Sequence, residues 1–286
     1  MKTLVIGATG TVGSNVTRGL VATGSKVRVL TRNKSRANHL PAGIEIALGD
    51  LNDPESARAA FAGIDTVFLL NGVTQTEANE GIVAVALATA AKVKRLVYMS
   101  VQGAHSAPHL PHFGGKIGVE AAVKASGIPY TILQPNNFFQ NDAWLKAALL
   151  EYGVYAQPLG QKGLHRVDAR DIADAAVNAL VTDKFTSKSY VLAGPTLVNG
   201  PSTAEVWSSK LGKKIAYGGD DLDAWAQQAS AMMPPWMVFD FKMMYAYFHS
   251  NGLIATPAEL TACEAIVGHP LRTFDAFATE VAGSWK

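Results

Sequence analysis

Leu4-Val5-Ile6-Gly7-Ala8-Thr9-Gly10-Thr11-Val12-Gly13 decides the fold of this chain. A short apolar run breaks into glycines spaced three and three apart and then opens a helix. The pattern suits a buried strand that turns sharply and presents a helix N-terminus. Gly7 allows the tight turn, Gly10 lets the backbone come close to a phosphate, and Gly13 lets helix and strand pack closely. The first turn of that helix offers free N–H groups and the positive end of its dipole to an anion. The backbone of Gly7, Ala8, Thr9, Gly10, Thr11, Val12 and Gly13 is therefore the expected pyrophosphate cradle of a dinucleotide.

The same rhythm continues outward from this turn. Strand-like runs at Val27–Leu30, 44–48, Thr66–Leu70, Leu96–Met99 and Tyr130–Leu133 alternate with helical patterns at Thr11–Ala22, 53–61, 77–92 and 116–126. Asp53-Pro54 reads as an N-cap followed by a first-turn proline. Alternating strands and helices with short connections predict a Rossmann-type, doubly wound parallel sheet with helices on both faces. Ligands of such sheets sit at the carboxyl ends of the strands. The residues to inspect are thus Gly7–Gly13, Thr31-Arg32, Asp50-Leu51, Asn71–Val73, Ser100–Gln102 and Pro135–Phe138.

Beyond residue 153 the pattern changes. Gly153–Gly163 reads as a glycine-punctuated loop or hairpin, residues 164–194 as a return to the first sheet, and the remainder as helices broken by prolines. The expected domains are 1–153, binding the dinucleotide, and 195–286 with 154–163. This second domain is smaller, mainly helical, and placed over the cofactor crevice.

Composition narrows the function classes. The chain has 286 residues, 48% hydrophobic and 17% charged, with a formal net charge of +2. That is enough apolar material for a full core and gives no electrostatic drive toward nucleic acid. Cys263 is the only cysteine, so a reducing compartment is expected and no internal disulfide can form. No charged leader followed by a long apolar run is seen, and no apolar run could span a bilayer. The expectation is a cytoplasmic monomer or homodimer that binds a small molecule, with neither membrane nor nucleic acid as partner.

Arg32 bears on which dinucleotide is held. NAD-specific folds place an acid at the end of the second strand, where it binds ribose hydroxyls. Here that place holds Thr31-Arg32, with Lys34 beyond. A guanidinium would bind a 2′-phosphate through charge-assisted bonds, so NADP(H) is expected over NAD(H).

Several further blocks carry a family likeness. Thr3–Gly10, Val27–Asn33, Gly49–Asp53, His112–Lys116, Tyr130–Phe138, Val167–Ala173 and Gly268–Phe274 together resemble the NmrA-like family of atypical short-chain dehydrogenases/reductases. That family includes quinone and triphenylmethane-dye reductases and also non-catalytic sensors of nicotinamide cofactors. The resemblance implies that Asp50 and Leu51 border the adenine and that Asn71 and Val73 lie along the nicotinamide ribose. Ser100, Lys116 and Asn137 complete the expected cofactor set.

The usual catalytic Tyr-x-x-x-Lys of short-chain dehydrogenases becomes His112-x-x-x-Lys116. His112 is either the acid that protonates a substrate or a group that only shapes the pocket or lies outside it. Hydride addition to a quinoid or cationic acceptor needs no strong acid at the carbon attacked. His105, His109 and His112 have a loose metal-like spacing, but no acid or cysteine accompanies them and prolines interrupt them, so no metal is expected. Phe138, Phe139 and Trp236 are the expected aromatic contacts of a flat substrate. The sequence thus predicts an NADPH-dependent oxidoreductase acting on a small flat apolar or quinone-like acceptor. The alternative is a non-catalytic NADP(H)-binding sensor.

Overall fold

The computed structural model describes residues 1–285. Among the described residues the strands are β1 (Lys2–Ile6), β2 (Lys26–Thr31), β3 (Glu45–Leu48), β4 (Thr66–Leu69), β5 (Arg95–Met99), β6 (Tyr130–Pro135), β7 (Val154–Tyr155), β8 (Lys188–Leu192) and β9 (Ala216–Tyr217). Helices are α1 (Thr11–Ala22), α2 (Pro54–Arg58), α3 (Glu77–Ala90), α4 (Pro111–Ala125), α5 (Ala169–Val181), α6 (Gly200–Leu211), α7 (Leu222–Ala229), α8 (Pro235–Asn251), α9 (Pro257–Val267) and α10 (Phe274–Ser284). None is long and apolar enough to cross a membrane.

Seven strands form one sheet in the order β3-β2-β1-β4-β5-β6-β8, and every pairing is parallel. The strand order reverses between β1 and β4, so a crevice opens beyond their carboxyl ends. Alternation along the strands sends Leu4, Ile6, Val67, Leu69, Leu96 and Tyr98 to one face. There they meet Ala84, Val85 and Ala88 of α3 and Val119 and Val123 of α4. Val5, Val29, Phe68 and Val97 point to the other face, the side of the paired helices α1 and α5. Strands buried on both faces read as continuous apolar runs, which is why they stand out in the sequence.

The chain divides into two units. One comprises Met1–Pro135, Ala169–Leu192 and Thr261–Pro270, and the other Asn136–Asp168, Ala193–Leu260 and the chain from Leu271 onward. The break falls at Pro135 and not at the expected residue 153. Past β6, Phe139 and Leu149 carry their side chains into the second unit's core, with Trp207, Phe274 and Phe277. That core encloses a polar knot: Asp142 accepts from Arg166 Nη2 at 2.7 Å, Trp207 Nε1 at 2.9 Å and Tyr155 Oη at 3.1 Å. Residues 154–155, expected in a loop or hairpin, form β7 and pair in parallel with β9. Helix α4 starts five residues before the expected Lys116, because Pro111 occupies its first turn, where a missing N–H costs nothing.

Candidate cofactor site

The turn after β1 has the geometry its glycines imply. Gly7 adopts φ +80°, and a Cβ there would lie 2.5 Å from the Leu70 carbonyl oxygen. A Cβ on Gly13 would lie 2.1 Å from the Gly7 carbonyl oxygen, so α1 can sit this close to the turn only with glycine. Gly10 differs: its Cβ position meets nothing nearer than 3.6 Å. Space over Gly10 is open, as a backbone that must receive a ligand requires. Gly10 is also the N-cap of α1, which has no side-chain cap and no acid in its first turn. Its leading N–H groups are thus left for an anion.

A groove of about 580 Å³ runs from this turn along the strand ends of the first unit. Gly7, Thr9, Gly10, Arg32, Asp50 and Leu51, all expected there, line it. Ala8 and Val12 are buried beneath the turn, so they can offer only backbone. Asn33, Arg36, Gly49 and Glu80 also line the groove and were missed by the sequence reading, whereas Lys34 does not line it. Asn33 caps the short 3-10 turn Lys34–Ala37, its side chain accepting from Ser35 N at 2.9 Å, and that turn delivers Arg36 to the groove. The Asn-x-Ser signal for such a turn stands in the sequence. Arg32 is 65% exposed, with Nη1 4.0 Å from the Asp50 carboxylate. Arg32 and Arg36 thus both line the groove, and both are exposed.

Deeper in the first unit, Asn71 follows β4. It is buried, and its Oδ1 has no hydrogen-bond partner. An acceptor of this kind is costly to bury unless a ligand or a water supplies the donor. Val73 is half-buried nearby in sequence. Lys116 is also buried, its Nζ donating to Glu77 Oε1 at 2.5 Å. Ser100, at the end of β5, donates to Glu120 Oε1 at 2.6 Å. The same carboxylate accepts from Gln134 Nε2 at 3.0 Å and lies 2.9 Å from His105 Nε2. Burial pushes the Glu120 carboxyl up, but the bonds from Ser100, His105, Gln134 and Lys124 outweigh it and hold it below the usual carboxylate range. His112 stands one helical turn before Lys116 on α4, its ring edge-on to Phe113 at 4.7 Å.

The remaining candidates belong to the second unit. Asn137 accepts from Arg166 Nε at 2.9 Å. Phe138 and Trp236 are partly exposed, as a contact surface requires. Phe139, expected to face substrate, is instead 1% exposed, its ring packed against Phe274 and Phe277; its bulk serves the core. Among the described residues, the histidines at 105, 109 and 112 do not gather as a metal-ligand set; Asp171, Asp174 and His269 do lie close enough together. His269 Nε2 is 3.0 Å from Asp174 Oδ2.

The groups present suit a dinucleotide: an open glycine cradle, a helix N-terminus without a side-chain cap, a groove lined by two arginines, and a buried amide acceptor on Asn71. Comparison with known proteins agrees. The NAD(P)H azoreductase of Xenophilus azovorans is 32% identical over 286 residues, covering 99% of this chain and 98% of the azoreductase. The Escherichia coli NADPH-dependent quinone oxidoreductase structure complexed with NADPH superposes with a TM-score of 0.88 at 24% identity, covering 98% of this chain and 99% of that one. The Citrobacter triphenylmethane reductase complexed with NADP(H) gives 0.86 at 23% identity, covering 98% and 99%. At such identities these two structures speak for the fold. The model of the NmrA-like family matches residues 1–278, and this chain belongs to that family.

Proposed function

We propose that this protein is an NADPH-dependent reductase that delivers hydride to a small, flat, apolar or quinone-like acceptor. The observation that carries the reading is the groove itself: the open Gly10 cradle at the start of α1 leads to the exposed Arg32 and Arg36. A dinucleotide whose pyrophosphate rests on Gly7–Gly13 would run its adenosine half along this groove, past Asp50 and Leu51, toward the two guanidinium groups. They favour a 2′-phosphate, so NADPH is the proposed cofactor over NADH.

When bound, the cofactor supplies hydride from C4 of its nicotinamide. The first unit's residues position it: Asn71 offers its orphan oxygen, Lys116 its ammonium, and Val73 and Ser100 complete the set. No tyrosine stands four residues before Lys116, and His112 is assigned to shaping the pocket. Proton delivery from a strong acid is then not part of the reaction, which suits quinoid or cationic acceptors. The azoreductase relative supports a reductase that uses a nicotinamide cofactor.

The competing reading is a sensor that binds NADP(H) without turnover, favoured by His112 standing in the tyrosine's place. Steady-state NADPH oxidation with quinones, azo dyes, triphenylmethane dyes and enones separates the two. Turnover with at least one acceptor supports the reductase; tight NADPH binding with no oxidation of any acceptor favours the sensor.

A further inference from the structure

The buried pair Glu77–Lys116 is not explained by ribose binding alone. Glu77 opens α3, Lys116 lies in α4, and their side chains are 6% and 7% exposed. The two helices meet through small residues. A Cβ on Gly81 would lie 2.6 Å from Val119 Cγ2, and one on Gly115 would lie 3.6 Å from the Ala78 Cβ. This tight seam holds the two charges at a fixed spacing. The orphan Oδ1 of Asn71 borders the same seam, 3.4 Å from the Gly81 Cβ position. Burying two charges is expensive, and at this depth either one alone would be left uncompensated, so the ammonium keeps its charge here only with the carboxylate beside it. Burial raises the Tyr98 hydroxyl well above its usual range, and the charges of Glu77 and Glu120 add to this.

Oxidised and reduced nicotinamide cofactors differ by one positive charge on the ring, and the rest of the molecule is the same. An unpaired ammonium near that ring would repel the oxidised form and leave the reduced form almost untouched. We propose that Glu77 is a charge-setting and positioning residue: by neutralising Lys116 it lets this end of the site accept the cationic oxidised ring as hydride leaves. The inference rests on the reading of Lys116 as a ligand of the nicotinamide half. A transition state in which positive charge grows on the ring gains from the same neutralisation.

The test is the ratio of dissociation constants for NADP⁺ and NADPH, measured by calorimetry on the full chain. The titrations are run at a pH of about 6, because acid favours the charged form of a buried amine. Glu77→Gln is expected to weaken NADP⁺ about tenfold more than NADPH, the scale of one unit charge acting across several ångströms of partly screened protein. Glu77→Asp, which keeps the charge, is expected to hold the ratio near wild type. Lys116→Met, which leaves the carboxylate in excess, should move the ratio the opposite way, and it serves also if Glu77→Gln does not fold. The double variant Glu77→Gln/Lys116→Met should weaken both forms and restore the ratio. An unchanged ratio in the single variants, with wild type binding both forms, would overturn the role of Glu77 alone. Failure of wild type to bind either form would overturn the cofactor reading beneath it.

Discussion

At the scale of single residues, Arg32 and His112 carry the sharpest expectations. Arg32 is largely exposed and close only to Asp50, so its charge is available to a phosphate at little cost to the fold. A charge-assisted bond contributes about 1.5–3 kcal/mol. Arg32→Ala should therefore weaken NADPH about ten- to hundredfold and change NADH by less than about threefold, with Arg36→Ala producing a smaller loss of the same kind. Titrating both nucleotides against each variant checks this, and equal losses for the two would contradict it. His112→Gln should leave both the rate and its pH profile unchanged, because no proton passes through the ring in this account. Arg32 was readable from the sequence since it stands where a strand end is easily located. Arg36 was not, since its approach depends on the Asn33-capped turn. Glu77 and Glu120 escaped for a different reason: a lone acid on an amphipathic helix looks solvated until the partners on other elements are known.

At the scale of elements, the glycine turn separates binding from folding. Gly13→Ala puts a methyl group 2.1 Å from the Gly7 carbonyl oxygen, so β1 and α1 must move apart. It should lower thermal stability clearly, on the order of 2 kcal/mol or more, and abolish nucleotide binding. Gly10→Ala meets no protein atom within 3.4 Å and should leave the melting temperature within a few degrees while weakening NADPH at least about tenfold. Denaturation and binding measured on the same two proteins test this pairing. Helix α4 and the ends of β5 and β6 make a second case. Glu120 ties Ser100, Gln134 and His105 together, and its folded-state pKa is depressed. A depressed acid binds fewer protons folded than unfolded, so its contribution is full above the ordinary glutamate value of about 4.3 and is lost as pH falls through the folded value. Unfolding curves of Glu120→Gln should show a shallower loss of stability between roughly pH 5 and pH 3 than wild type. The sequence located α1 to the residue because Gly10 and Gly24 bracket it. The start of α4 is not legible in the same way, because a proline reads as a breaker, whereas Pro111 occupies the first turn, where its missing N–H costs nothing.

At the scale of the whole molecule, the sheet and the family were legible because buried parallel strands leave continuous apolar runs between glycine and aspartate punctuation. The second unit was less legible, since its core gathers side chains from 136–168, 193–260 and the C-terminal helix, a grouping no local pattern announces. The Arg166–Asp142 knot at its centre is fully enclosed, and Asp142→Ala should cost about 3–5 kcal/mol by leaving a buried guanidinium unpaired. A bound cofactor should raise stability by about 2.7 kcal/mol at a free concentration one hundred times its dissociation constant, and NADPH should do so at lower concentration than NADH. The central claim is hydride transfer from NADPH to a flat acceptor. It is tested most directly by incubating the protein with NADPH deuterated at C4, on each face in turn, and a triphenylmethane dye. Bleaching of the dye with deuterium on its central carbon, delivered from one face only, is the predicted result. A protein that binds NADPH yet leaves the nucleotide unoxidised, with the dye and every other acceptor class intact, would contradict it.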